Sequence, residues 1–227
     1  MAKKTNIRAL AKADETPYHH GDLRDALVQT AQKILEANGL AALSLRGVAR
    51  SAGVSPAAPY HHFPDKQALL DAVAERGFDA LTTAMTTRMD KVNGGAARVD
   101  ASGIGYVAFA VANPALFGLM FSTAGHNPSA GTSLDSARQR AYAVLQEAVA
   151  ACSPNGNADA AECLRLWALV HGIAKLVLEA CVRPADFGLA DGEALAALLL
   201  RRPRPRNTVM KPTRRPRPKS SPNRRRP

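Results

Sequence analysis

Most of the side chains able to do chemistry in this sequence fall away on spacing alone. Cys152, Cys163 and Cys181 are odd in number and lack metal-ligand spacing, which reads as reduced thiols. Cys152 opens the break Cys152-Ser-Pro-Asn-Gly-Asn157, where nothing nearby in sequence supplies an oriented base, so no nucleophile is expected there. His19-His20 invite a metal reading, but adjacent histidines ahead of a helix are expected to be solvated, as is His126 in a Gly/Pro/Asn loop. No acid and base are paired at a useful spacing. The chain therefore reads as a binding protein and not an enzyme, with no catalytic residue, metal or cofactor expected. Two sets of residues remain. Lys66 follows Asp65 at a helix start, where a lysine beside free backbone N–H groups makes a phosphate clamp. Trp167, His171 and Lys175 recur at i, i+4 and i+8 and share one helix face.

The first set depends on the residues before it. Leu43 to Lys66 reads as two short helices joined by a glycine corner. Ser44 is a good N-cap, and Leu45, Val48 and Ala49 follow at i, i+3, i+4. Gly53 sits where a left-handed residue is needed, and Val54 plugs the corner. Ser55 is expected to cap a second helix whose first position is Pro56. Ala57 and Ala58 are small enough for close approach, and Tyr60, His61 and His62 supply polar tips before Phe63-Pro64 ends the helix. Two readings fit this pattern: a helix-turn-helix that enters a DNA major groove, or a small helical hairpin with a glycine corner.

Ala52-Gly53-Val54-Ser55, then Tyr60-His61-His62-Phe63 and Lys66, resembles the DNA-binding domain of the TetR family of bacterial transcriptional regulators. Leu23, Ala26, Ala31, Ile34, Leu35 and Gly39, followed by Leu43-Ser44, match the family's first helix and its approach to the second. The resemblance covers roughly residues 20–70. It implies phosphate or register contacts from Ser44, Arg46, Ser55 and Lys66, and groove contacts from Pro56, Ala57, Tyr60 and His61. Pro59 departs from the family pattern, which usually has an aliphatic residue there. Having no N–H to return to the Ser55 carbonyl, it is expected to tighten the second helix.

The net charge of +11 is unevenly placed. Residues 201–227 carry 12 Lys/Arg and no acid, so 18 basic residues face 19 acidic ones over residues 1–200. Recognition by the Ser44–Lys66 stretch therefore rests on a few placed groups and not on a basic face. Residues 203–227, Pro-rich and without an apolar face, read as a disordered tail that either adds salt-sensitive DNA affinity or is inert. Residues 1–20 read as a flexible basic arm with no secretory h-region. No apolar run approaches about 18 residues, so no membrane span is expected.

Helices follow from apolar periodicity: Asp22–Asn38, about Asp65–Met89 with a mild interruption at Gly77, one through Tyr106–Val111, a restart at Asn113-Pro114, Ser133–Ala151, Ala158–Val182 as the longest, and Asp191 to about Arg202. Aromatics and methionine gather at Tyr106, Phe109, Phe117, Met120 and Phe121, which suits either a small-molecule pocket or an ordinary core. The helix around Trp167 is apolar nearly all round, as expected of one packed against its own domain and a partner subunit. Trp167…His171-Gly172, with Pro114-Ala-Leu-Phe-Gly-Leu-Met-Phe121, resembles the C-terminal domain of a TetR subgroup named for a Trp-His-Gly signature, which also favours the Ala-Ala-Pro-Tyr stretch at 57–60. Trp167 and His171 join the five pocket residues on that basis, His171 competing with a role as a hydrogen-bonded core residue.

The expectation is thus an all-α chain: a helix-turn-helix domain at 21–76, and a larger helical ligand-binding and dimerisation domain at 77–202. The resemblance implies a cytoplasmic bacterial regulator, most simply a homodimeric repressor. It would bind a pseudo-palindromic double-stranded DNA operator and be released by a small-molecule effector of unknown identity.

Overall fold

A computed structural model describes residues 20–122 and 131–200. The basic arm up to His19, His126 and the tail lie outside the described residues, while His20, expected to end the arm, opens α1. Among those described, every regular element is helical, in the order α1 (His20–Asn38), α2 (Leu45–Ser51), α3 (Lys66–Met89), α4 (Gly95–Ala112), α5 (Pro114–Met120), α6 (Ser133–Ala150), α7 (Ala160–Leu178) and α8 (Gly192–Leu200). Short 3₁₀ segments lie at Leu40–Ala42, Ala58–His61 and Pro184–Phe187.

Helix starts follow the side chains able to accept an end N–H. Ser44 Oγ accepts the Gly47 N–H at 3.1 Å, the Asp65 carboxylate accepts the Ala68 N–H at 2.8 Å, and Thr132 and Asp159 serve α6 and α7 in the same way. α1 starts two residues ahead of the expected Asp22. It runs to Gly39, whose φ of +76° lets the chain leave the helix.

α3 and α4 form the centre. α3 packs on α1, α4, α5 and α6, and α4 packs on α6, α7 and α8. At 24 residues α3 is the longest helix among the described residues, about 36 Å. The expected longest helix, α7, stops instead at Leu178. Ala180 turns left-handed (φ +54°) and the Val182 N–H returns to the Leu176 carbonyl at 3.0 Å, which ends the helix without a glycine or proline. Gly77 does not interrupt α3 either. It is buried, and a Cβ there would lie 2.6 Å from Met120 Sδ, so its small size lets α5 approach. α4 crosses α3 at Gly105, where a Cβ would meet the Ala84 carbonyl oxygen at 2.8 Å. Among the described residues no single helix is long and apolar enough to cross a membrane.

Candidate functional site

Two features stand out: an exposed segment between α2 and α3, and a cavity among the later helices. In the segment, Gly53 adopts φ +71° as its place in the turn requires. Beyond it the expected α-helix from Pro56 does not form. The segment tightens to a 3₁₀ turn over Ala58–His61, and no side chain caps it, so Ser55 has no capping role. The cause is Pro59. The Ser55 carbonyl, lacking an N–H four residues on, accepts from Ala58 at 3.0 Å, and Ala57 O accepts from Tyr60 at 3.1 Å. Only Phe63 N–H makes an α-type bond, to Pro59 O at 2.8 Å. Pro59 and Phe63 are buried, so the turn is anchored at both points.

All eight residues expected to contact DNA are exposed: Ser44, Arg46, Ser55, Pro56, Ala57, Tyr60, His61 and Lys66. Tyr60 is 49% exposed, notable for so large a ring. Lys66 Nζ donates to the Leu40 carbonyl at 3.3 Å, which holds the ammonium over the 3₁₀ turn at 40–42 and close to the start of α3. Sequence reasoning passed over Arg24. Its guanidinium carbon sits 5.4 Å from the Phe63 ring centroid, tying α1 to the end of the exposed segment. An isolated arginine in a helical pattern carries no signal for such a contact.

The cavity, about 250 Å³, lies among α3, α4, α6, α7 and α8. α3 contributes Phe78, Leu81 and Met85; α4 contributes Val99, Ser102, Gly103 and Tyr106; α7 and α8 add Leu166, Trp167, Val170 and Leu200. α6 supplies the polar side, with Asp135, Arg138, Gln139 and Tyr142 beside Ala141 and Leu145. Of the seven pocket residues expected from sequence, Tyr106, Phe121 and Trp167 line this space. Phe109, Phe117 and Met120 are buried in the surrounding packing, and His171 stands behind Tyr106.

That rear layer is an aromatic cluster. Phe117 packs edge-on to Tyr106 at 5.7 Å between centroids, and Phe121 reaches both Phe117 and His171 at 4.8 Å. Tyr106 Oη lies 2.8 Å from His171 Nδ1. Burial drives the Tyr106 phenol far above its ordinary range, opposed in part by a hydrogen bond to the Trp167 side chain. Burial, and secondarily the Lys175 charge, push the His171 imidazole down. No group of His, Cys, Asp and Glu among the described residues is arranged to hold a metal ion.

Two family models match the chain. Residues 27–73 match one described as bacterial regulatory proteins, tetR family, and residues 99–202 match one described as tetracyclin repressor-like, C-terminal domain. The class C tetracycline repressor of Escherichia coli is 40% identical over 67 residues, covering 30% of this chain and 31% of the repressor. The chain thus spans about a third of that curated relative. A Rhodococcus sp. RHA1 protein of unknown function, known from its solved structure, is 35% identical with a TM-score of 0.66, covering 82% of this chain and 95% of that one. AibR, solved with isovaleryl coenzyme A and operator DNA, shares the fold at 17% identity and a TM-score of 0.57, over 78% of this chain and 95% of its own.

Proposed function

The chain belongs to the TetR family of bacterial regulatory proteins, and on that premise we propose that it is a ligand-responsive transcriptional repressor. It binds a pseudo-palindromic double-stranded operator as a homodimer and is released when a small molecule fills the cavity. The observation that carries this reading is the course of α3. The helix begins at Lys66, with two residues between it and the 55–63 segment, and its Phe78, Leu81 and Met85 form a wall of the cavity. A ligand that presses on this wall tilts the helix that holds the reading segment, coupling two sites through one element.

In this reading residues 21–76 act as the DNA-binding domain and 77–202 as the effector and dimerisation domain. Their boundary falls within α3, so both move as parts of one helix. Leu164 and Leu176 on α7 and Leu198 and Leu199 on α8 are exposed, which supports a bundle with a second subunit. Trp167, His171 and Gly172 would place the C-terminal part in the Trp-His-Gly subgroup. The protein works in the cytoplasm, on the nucleoid when bound to DNA. In AibR, the fold occurs with both an acyl-coenzyme A and operator DNA, a combination this reading shares in kind.

The test is direct. An operator is selected from random DNA with the full chain, and binding is measured for Tyr60→Ala and Lys66→Ala. Each is expected to weaken operator affinity about tenfold, in the range of one well-made contact. Unchanged affinity in both variants overturns the proposal.

A further inference from the structure

We propose that the molecule received by the cavity is a small anionic amphiphile, with an apolar body about the size of one substituted ring and a single acidic group held by Arg138. This rests on the reading of the cavity as the effector site.

Size comes first. A cavity of about 150 Å³ lined by aliphatic and aromatic side chains holds benzene, so 250 Å³ accommodates a ring and a few further atoms. It falls just below the range of about 300–1,000 Å³ usual for larger ligands.

Chemistry then differs between the two sides. Phe78, Leu81, Met85, Leu166, Val170 and Leu200 offer only hydrocarbon and thioether surface. The hydroxyls in the interior are already engaged: Ser102 Oγ donates to the Val99 carbonyl at 2.8 Å, and Tyr106 Oη bonds His171 Nδ1. A polar group placed at this end would lose water without gaining a partner. The α6 side is different. Gln139 donates to Asp135 Oδ2 at 2.9 Å, and the same oxygen accepts the Gly131 N–H at 3.2 Å, so these neutral donors hold the carboxylate toward the start of α6 while it keeps its charge. Arg140, two residues on, is taken by Asp79 at 2.7 Å, and Arg98 by Glu147 at 3.5 Å. Arg138 has no ion-pair partner among the described residues and stands in the cavity wall. A guanidinium fork in that position matches a carboxylate, which it can hold by two parallel hydrogen bonds.

Trp167 is the single tryptophan of the sequence and lines the cavity, so its emission reports occupancy. The probes are 4-ethylbenzoate, 4-ethylbenzamide and 4-ethylbenzylamine, titrated into the full chain, into Arg138→Gln, and into the cavity-filling variants Ala141→Leu and Val170→Phe. The benzoate is expected to bind about fivefold to tenfold more tightly than the amide or the amine, the range of a partly exposed charged pair. That preference should vanish in Arg138→Gln, and binding should be lost in the filled variants, with helical circular dichroism retained by at least one of them. Equal binding of the three probes, a preference that survives Arg138→Gln, or no response to any probe overturns the anionic assignment. If instead the filled variants bind the benzoate as the unaltered chain does, the effector-site reading beneath it fails.

Discussion

Tyr106 Oη lies 2.8 Å from His171 Nδ1, joining α4 to α7 immediately behind the cavity. Burial keeps the phenol protonated and the imidazole neutral, so the two share one hydrogen bond whose donor is set by the imidazole tautomer. His171 thereby holds the Tyr106 oxygen at the cavity wall while its own ring packs against Phe117 and Phe121. His171 is bonded to Tyr106 and is not among the residues that line the cavity.

This pair makes stability depend on pH in a stated direction. The folded-state pKa of His171 lies below its ordinary value of 6.5, so the unfolded chain takes up the proton first as pH falls. Stability is therefore retained above about pH 6.5 and declines as pH drops from there toward the folded pKa, then levels off. Thermal midpoints measured at intervals between about pH 5 and pH 8 should show this decline in the unaltered chain. His171→Gln should show less of it; equal slopes for the two proteins count against the assignment.

Two glycines separate tolerable from intolerable crowding. A methyl at Gly77 meets Met120 Sδ at 2.6 Å and Cγ at 2.9 Å, and Leu116 Cδ1 at 3.1 Å, all of them side-chain atoms and none of them backbone. Gly77→Ala also gains about 1 kcal/mol of helix propensity, so the change in stability should be near zero. At Gly105 the neighbours are backbone: Ala84 O at 2.8 Å and Met85 Cα at 3.0 Å. Gly105→Ala must part α3 from α4 and should destabilise by about 2 kcal/mol. Urea unfolding of the two variants side by side decides between them.

These contacts also show what could be read in advance. Positions whose backbone or capping chemistry is local were legible: Gly53, Ser44 and Asp65 occupy the conformations their types favour, and Pro114 takes the first position of α5. The cavity was not. Phe78, Leu81 and Met85 line it while Phe109, Phe117 and Met120 pack behind it, yet both sets show the same helical spacing. Periodicity tells which face turns inward, not whether atoms from the other side arrive to fill the space. Arg138 and Tyr142 were missed for a related reason, since each lies at the edge of the amphipathic stripe of α6 and looks like a solvent residue.

The cap of α3 offers a prediction that separates stability from recognition. The Asp65 carboxylate receives the Ala68 N–H at 2.8 Å and sits at the positive end of the helix. Asp65→Ala should lower stability by about 1 kcal/mol. Asp65→Asn, which keeps an accepting oxygen, should recover most of that. Chemical denaturation of the three proteins measures both.

The basic tail yields a prediction from charge alone. Its 12 cationic side chains adjoin a remainder with a net charge of −1. A chain ending at residue 202, which removes ten of the 12, should keep its preference for the selected operator while the dependence of log affinity on log salt becomes shallower. Loss of nearly all affinity would instead mark a sequence-independent binder driven by the tail.

Pro59 allows the reading segment itself to be tested. The proline leaves the Ser55 carbonyl without a donor four residues on, and the segment answers with bonds three residues apart. Pro59→Ala returns an N–H and should let the 55–63 segment relax toward an α-helix, seen as a protected amide at residue 59 and slowed amide exchange at its neighbours. The substitution also removes a buried ring, which should lower stability by about 1 kcal/mol. Relaxation changes the rise and rotation per residue, so Tyr60 and His61 are presented at a new angle while Ser44, Arg46 and Lys66, held by other elements, stay in place. Groove contacts specify and phosphate contacts position. The operator sequences selected by Pro59→Ala should therefore differ from those of the unaltered chain, with the salt dependence of binding nearly unchanged. An identical selected sequence would show that the 3₁₀ geometry plays no part in the readout.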